Sequence, residues 1–233
     1  MAKKVAKKSS KVKQIDQPRK YPKIDETAAK DFVSLQEIVA TARKNLSQHL
    51  WDHLSGGSDS ETTLLRNRQA LDNLALRQRV LVDVRKIDIS TTLLGRKLTS
   101  PVFLAPVGGF VGFAHPRGAV NVARAAVAHG TTAFISTAGK PSLEAAAEAV
   151  QEPLIFQLYV RADRKWVEDT LDRAKAAGYR ALCVGVDRNY YGRRERDIIS
   201  RAAVREGFGD PTFQMGLQWK DLVWMKQHWK VPL

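Results

Sequence analysis

Apolar residues recur at helical spacing over Leu35, Ile38, Val39, Ala42, Leu46, Leu50 and Leu54, so the pattern predicts an amphipathic helix. Ser34 and Glu37 stand at capping-box spacing at its start, and Gly56-Gly57 marks its end. A polar, helix-compatible stretch follows through Asn67 and Leu71. Val80-Leu81-Val82-Asp83-Val84 then predicts a short strand, and Gly95 a turn before Lys97. From there the pattern changes to continuous apolar runs separated by helical segments. The runs are Val102–Ala105, Ala133–Ser136, Leu154–Tyr159 and Ala181–Val186. Between them lie an alanine-rich helix from about Pro116 to His129, a helix capped by Ser142, and a helix opened by Asp163 and ended by Gly178. The stretch from Arg188 to Gln218 reads as a long irregular loop, a helix follows over Trp219 to His228, and Val231-Pro232-Leu233 reads as the start of a fifth strand.

Strands apolar on both faces and alternating with helices imply a parallel sheet in an α/β fold. Four βα units fit a barrel or a doubly wound sheet. No G-x-G-x-x-G follows the first strand, which weighs against a dinucleotide-binding Rossmann unit. Polar residues gather where strands end, at Ser136, Gln157 with Tyr159, and Asp187. In a barrel those ends carry the chemistry.

Charge changes the picture only at one end. The net charge is +14, which on its own suggests a nucleic-acid binder. Residues 1–23 hold nine basic residues against one acid, so +8 of that charge lies in a lysine-rich segment too poor in apolar residues to fold. A solvated tail is the bland reading; an electrostatic anchor to nucleic acid or anionic lipid is the alternative. Residues 1–29 are therefore expected to be a disordered tail and residues 30–233 a folded domain. The single cysteine, Cys183, excludes an internal disulfide framework and fits a cytoplasmic protein. No apolar run approaches the roughly 20 residues that span a bilayer.

Several short segments, in order, carry a resemblance that covers roughly residues 30–233. They are Ser55-Gly56-Gly57 with Thr63-Leu64 and Asn67-Arg68; Arg79 to Val84; Thr91 to Gly95; Pro101 to Pro106; Ala114-His115-Pro116 with Gly118; Phe156 to Val160; Gly192-Arg193-Arg194-Glu195 with Asp197; and Trp219-Lys220-Asp221. Together they resemble the FMN-dependent 2-hydroxy-acid dehydrogenases and oxidases, which include glycolate oxidase, lactate oxidase and the flavin domain of flavocytochrome b2. The resemblance implies the N-terminal half of a (β/α)8 TIM barrel, preceded by a helical segment, with four barrel strands and the start of a fifth.

It also implies FMN as cofactor and a small (S)-2-hydroxy acid, lactate- or glycolate-like, as substrate. By position, Pro106, Val107 and Gly108 would lie beside the flavin, Ser136 and Gln157 would bond its polar edge, and Gly185 would stand where a threonine usually touches it. Tyr159 and Arg194 would contact the substrate. His53 stands where a substrate-contacting tyrosine is usual. Val107-Gly108 replace the commoner Thr-Ala, and Ala138 stands where some members have a larger aromatic. Without the resemblance, a Gly-Gly pair reads equally well as a turn, and a strand-end serine as a cap.

The resemblance places the histidine base, its arginine and the flavin-supporting lysine beyond Leu233. No catalytic residue is therefore assigned, and the chain alone is expected to be inactive. Partners would be a complementing C-terminal half or a homo-oligomer, with no specific nucleic acid and no metal. Two other readings stay open: another FMN barrel enzyme resembling type 2 isopentenyl-diphosphate isomerase, and a non-catalytic fragment binding an anionic partner through its basic tail.

Overall fold

The computed structural model describes residues 32–188, 190, 192–200 and 212–232. The expected tail over 1–29, Leu233 and residues 201–211 of the long loop lie outside the described residues.

The amphipathic N-terminal segment forms two helices, α1 (Leu35–Asn45) and α2 (Gln48–Ser55), where the apolar period predicts one. The break falls at Leu46-Ser47, where both residues are extended. Ser34 Oγ accepts from the Glu37 amide at the start of α1, and Gly56 caps α2. Helix α3 (Thr62–Asp72) matches the polar stretch. The strand expected over Val80–Val84 is absent. These residues carry no regular structure, Leu81 is left-handed at φ 57° and fully exposed, and its neighbours are exposed as well. An apolar run becomes a strand only where a partner takes its backbone groups and covers a face, and among the described residues nothing does so here.

A short hairpin, β1 (Thr91–Leu93) and β2 (Arg96–Leu98), turns at Leu94-Gly95, both at positive φ. The predicted run over Val102–Ala105 is reduced to one parallel bridge, Leu104 to Ala133. Then come α4 (Gly109–Ala114), α5 (Gly118–Ala128), β3 (Phe134–Ser136), α6 (Leu143–Glu148), β4 (Ile155–Leu158), α7 (Arg164–Ala176) and β5 (Ala181–Val184). Helix α4 occupies what reads in sequence as a glycine-rich turn. Two further short helices, α8 (Glu195–Ile199) and α9 (Thr212–Met215), lie within the stretch expected to be irregular, and α10 (Trp219–Trp229) completes the described chain.

Strands β3, β4 and β5 are parallel neighbours in that order. The register pairs Ser136 with Gln157 and Gln157 with Cys183, so these three side chains form one row across the sheet. The alternate residues Ile135, Phe156 and Leu182 face the helices. There they join Ala123, Val167, Leu171, Met225 and Trp229 in one buried cluster. Helix α7 shows why this packing occurs. Asp163 caps its first turn by accepting from the Trp166 amide at 3.0 Å, its buried residues Val167, Thr170, Leu171 and Ala174 fall on one face, and Gly178 at φ 84° ends it. Each large side chain buried here contributes about 1.5–3 kcal/mol.

Phe134, Phe156 and Leu182 are the residues an incomplete barrel is expected to leave short of partners. Phe156 is fully buried and Leu182 is 3% exposed, because both face the helix layer and not the barrel axis; only Phe134, on the inner face, is half-buried. The β1–β2 hairpin lies at the other end of the sheet, where Leu93 and Leu98 approach Ile155 and Thr132. The fold is thus an arc of a (β/α)8 barrel, with the hairpin at the N-terminal ends of its strands and the polar row running to their C-terminal ends. The Leu182 amide donates to the Pro232 carbonyl at 3.0 Å, so the chain after α10 returns beside β5, where the fifth strand is expected.

Candidate active-site cleft

The C-terminal ends of β4 and β5 meet α2, α4 and the segment before α8 around a cleft of about 400 Å³. His53, Pro106, Gly108, Gly109, Phe110, Phe113, Tyr159, Asp187, Arg188 and Arg194 contribute to its walls, as does Asp197. The site residues expected from sequence, His53, Pro106, Gly108, Tyr159 and Arg194, with the strand-end Asp187, therefore come together. Val107 is half-exposed and does not line the cleft. Ser136 and Gln157 lie just beneath, at 3% and 2% exposure.

Tyr159 follows β4 directly. Its hydroxyl donates to Asp187 at 2.9 Å, and the Arg188 guanidinium lies 5.1 Å from its ring centre. Burial, then the Asp187 carboxylate, pushes the phenol up to about 12, so at neutral pH it is a neutral donor. Gly185 backs this pair closely: a Cβ there would meet the Tyr159 ring at 2.4 Å and the Gln157 amide nitrogen at 2.6 Å. The threonine usual at this position would displace one or the other.

Two buried glutamines show contrasting behaviour. Gln214, on α9, accepts from the Val160 amide and donates to the Gly185 carbonyl, each at 2.8 Å, so it staples the ends of β4 and β5. Gln157 has neither its amide nitrogen nor its amide oxygen hydrogen-bonded. An unsatisfied buried polar group costs about 1–3 kcal/mol. Ser136 Oγ accepts locally from the Ala138 amide at 3.2 Å. A Cβ on Gly108 would stand 3.7 Å from that same oxygen, so the backbone after the first strand run passes close over it.

The opposite wall is tied together by charge. His53 Nδ1 and Asp197 Oδ2 are 2.9 Å apart. Arg194 donates to the carbonyls of His53 and Gly56, the latter at 2.8 Å. Its Nε lies 3.2 Å from Asp197 Oδ2, an ion pair whose angle does not make a hydrogen bond. Arg196 reaches Glu61 at 2.5 Å, and the Gly57 amide with that guanidinium holds the Glu61 carboxyl below its ordinary range. Arg193 points away and pairs with Glu195.

Asp197 is the residue this wall depends on that sequence reasoning left without a role. It stood in the Gly192–Asp197 segment of the resemblance, but its contact with His53, 144 residues away, has no local signal. Phe110 and Phe113 were missed because α4 was read as a turn. A larger hollow, about 750 Å³, lies between α7, α9 and α10 and holds none of the cofactor- or substrate-contacting residues expected from sequence. Among the described residues no cluster of His, Cys, Asp and Glu could hold a metal ion, and no helix is long and apolar enough to cross a membrane.

Comparison with known proteins places this geometry. Residues 42–213 match the FMN-dependent dehydrogenase family. Glycolate oxidase 1 of Zea mays is 39% identical over 171 residues, covering 73% of this chain and 46% of that protein. An L-lactate dehydrogenase of Xanthobacter autotrophicus is 35% identical, covering 82% of this chain and 61% of that protein. Among solved structures, a mandelate oxidase variant with benzaldehyde superposes at a TM-score of 0.77 with 32% identity, covering 86% of this chain and 60% of the other. A flavocytochrome b2 variant superposes at 0.75 with 29% identity, covering 87% and 52%. The chain thus spans about half to three-fifths of the length of these relatives.

Proposed function

This chain belongs to the FMN-dependent dehydrogenase family, and from that premise we propose that it supplies the flavin- and substrate-facing walls of an enzyme that oxidises a small (S)-2-hydroxy acid to the 2-oxo acid. The observation that carries the proposal is the Gln157 amide, buried at a strand end with donor and acceptor both unused. The polar edge of an isoalloxazine offers both complements, so the residues present fit FMN. Gln157 and Ser136 would hold that edge, while Pro106 and Gly108 would let the ring approach the backbone; Gly185 makes room for Tyr159 and Gln157, and Val107 stands outside the cleft. The chemistry FMN supplies when bound is acceptance of a hydride from carbon.

The other walls orient the substrate. Arg194 is held by two carbonyls and Asp197, and its remaining Nη1 protons suit a carboxylate oxygen. His53 takes the place of the family's tyrosine beside it. Tyr159, kept neutral, gives its one proton to Asp187, which leaves its hydroxyl oxygen to accept a hydrogen bond from the substrate hydroxyl. Abstraction of the hydroxyl proton falls, on this reading, to a histidine in the part of the relatives' length that these residues do not span. A complementing segment or a homo-oligomer would then complete the site. Cys183, the one thiol, suits work in the cytoplasm.

The test is reconstitution. The full chain, alone and mixed with the complementary part of a relative, is titrated with FMN and then with lactate or glycolate without oxygen. Yellow flavin bound by the mixture and bleached by the acid is expected, with bleaching absent for the chain alone. A mixture that binds flavin weakly and no worse with Gln157→Ala overturns the proposal.

A further inference from the structure

We infer that His53 and Asp197 couple substrate capture to a proton: the cleft takes a carboxylate together with a proton, which the imidazole holds between the acid and Asp197. The inference rests on the function proposed above and adds a linkage to its carboxylate-binding wall. It is carried by two side chains that meet one carboxylate oxygen. Asp197 Oδ2 lies 2.9 Å from His53 Nδ1 and 3.2 Å from Arg194 Nε, while Asp197 Oδ1 is buried with no hydrogen bond. The Asp197 side chain is only 15% exposed, so water screens its charge poorly.

The local fold holds the imidazole in this place. His53 stands in the last turn of α2, and Arg194 donates to the carbonyls of both His53 and Gly56, so the end of α2 is bound to the segment before α8. With Nδ1 given to Asp197, Nε2 is the nitrogen left for a ligand. It takes no hydrogen-bond partner among the described residues, and His53 lines the cleft.

Charge then decides the behaviour. With a neutral imidazole, Asp197 and Arg194 cancel. A proton on His53 leaves the wall positive, and a bound carboxylate restores neutrality. Proton and acid therefore strengthen each other's binding, and affinity for the acid falls as pH rises. The neighbouring charges are committed elsewhere: Arg193 pairs with Glu195, Arg196 with Glu61, and on α2 itself Asp52 accepts from Gln48 while His49 lies beside Ser47. Helix α4, packed against α2, brings no titratable side chain. Across the cleft stand Tyr159, Asp187, Arg188 and Tyr190. Tyr159 stays neutral, and Asp187 and Arg188 are of opposite sign. Among the described residues of the cleft, His53 alone is of the type whose charge ordinarily changes near neutral pH.

The test is calorimetric titration of lactate, and separately glycolate, into the full chain with FMN present, in HEPES and in Tris, whose ionisation heats differ. The difference in observed heat between the two buffers counts the protons exchanged. Net proton uptake at neutral pH is expected, with affinity weakening severalfold between about pH 6 and 8. His53→Gln, which keeps a neutral donor, should bind the acid with no proton uptake and a flat pH profile. Asp197→Asn should lessen the uptake, whereas a merely structural role would weaken binding equally at every pH. Acid bound without net proton uptake, uptake that persists in His53→Gln, or uptake unchanged in Asp197→Asn overturns the inference and leaves the proposed function standing. Binding of neither acid overturns both. Should either variant fail to fold, the proton count of the unaltered chain decides by itself.

Discussion

At the residue scale, Gln157 separates two kinds of buried glutamine. The fold spends Gln214 on its own backbone and leaves Gln157 with nothing. A residue kept for folding would be satisfied by folding. Gln157→Leu should therefore raise the melting temperature of the chain without flavin, by an amount corresponding to about 1–3 kcal/mol, because the desolvation penalty disappears. The same substitution should weaken FMN binding. Thermal melts and flavin fluorescence quenching, measured on one preparation, read the two opposite signs; a fall in both would make Gln157 a structural residue. The sequence already exposed this position, since an amide inside Phe-Gln-Leu-Tyr has few reasons to be there. It did not expose the Tyr159–Asp187 bond or the Asp197 contacts, which exist only once distant segments meet.

Among the elements, the regular parts were legible and the exceptions share one cause. Helices α5, α6, α7 and α10 begin and end near the positions their caps and apolar periods predict, because those signals are local. Val80–Val84 has the composition of a strand but no partner, and Val102–Ala105 pairs at a single bridge; pairing is a tertiary event that a short apolar run cannot announce. Helix α4 formed from a glycine-rich segment because packing of Val111 on Gly118 overrode propensity.

Between elements, α6 and α7 are linked by Glu144 and Arg173, 2.7 Å apart. The hydrogen bond from Arg173 holds the Glu144 carboxyl at about 2, against an ordinary 4.5. A carboxyl depressed on folding stabilises at pH above its unfolded value and loses that contribution as pH falls toward its folded one. The wild type should therefore melt slightly above Glu144→Gln at pH 6, with the gap closing between pH 4.5 and 2. The gap should be small, since both side chains are at least one-third exposed. Circular-dichroism melts across that range check it, and a gap independent of pH would refute the linkage.

Over the whole molecule, burial is uneven. Helices α1, α2 and α3 contain no buried residue, and Leu74, Leu76, Val80, Leu81, Val84 and Ile87 are all at least 66% exposed. Apolar surface on that scale marks an interface. The chain alone should self-associate, and Leu76→Lys with Leu81→Lys should shift it toward monomer in sedimentation velocity. An unchanged profile would place the association elsewhere. The α/β class was readable because the βα rhythm persists from Val102 to Val186, whereas the barrel and the family rested on the resemblance of short ordered segments between Ser55 and Asp221. The burial of Phe156 and Leu182 was misjudged because apolar composition does not say which face of a strand meets the helices.

The ties between His53 and Asp197, and between Gly56 and Arg194, close across roughly 140 residues. Joining ends so far apart is entropically unfavourable until the intervening chain is ordered. The parallel strands and their helices lie inside that interval. The cleft can therefore close only once Asp197 has left the ribosome, and its walls are expected to join after the strands between them have paired. Slower strand assembly should then delay ligand binding during refolding, which time-resolved flavin fluorescence would show.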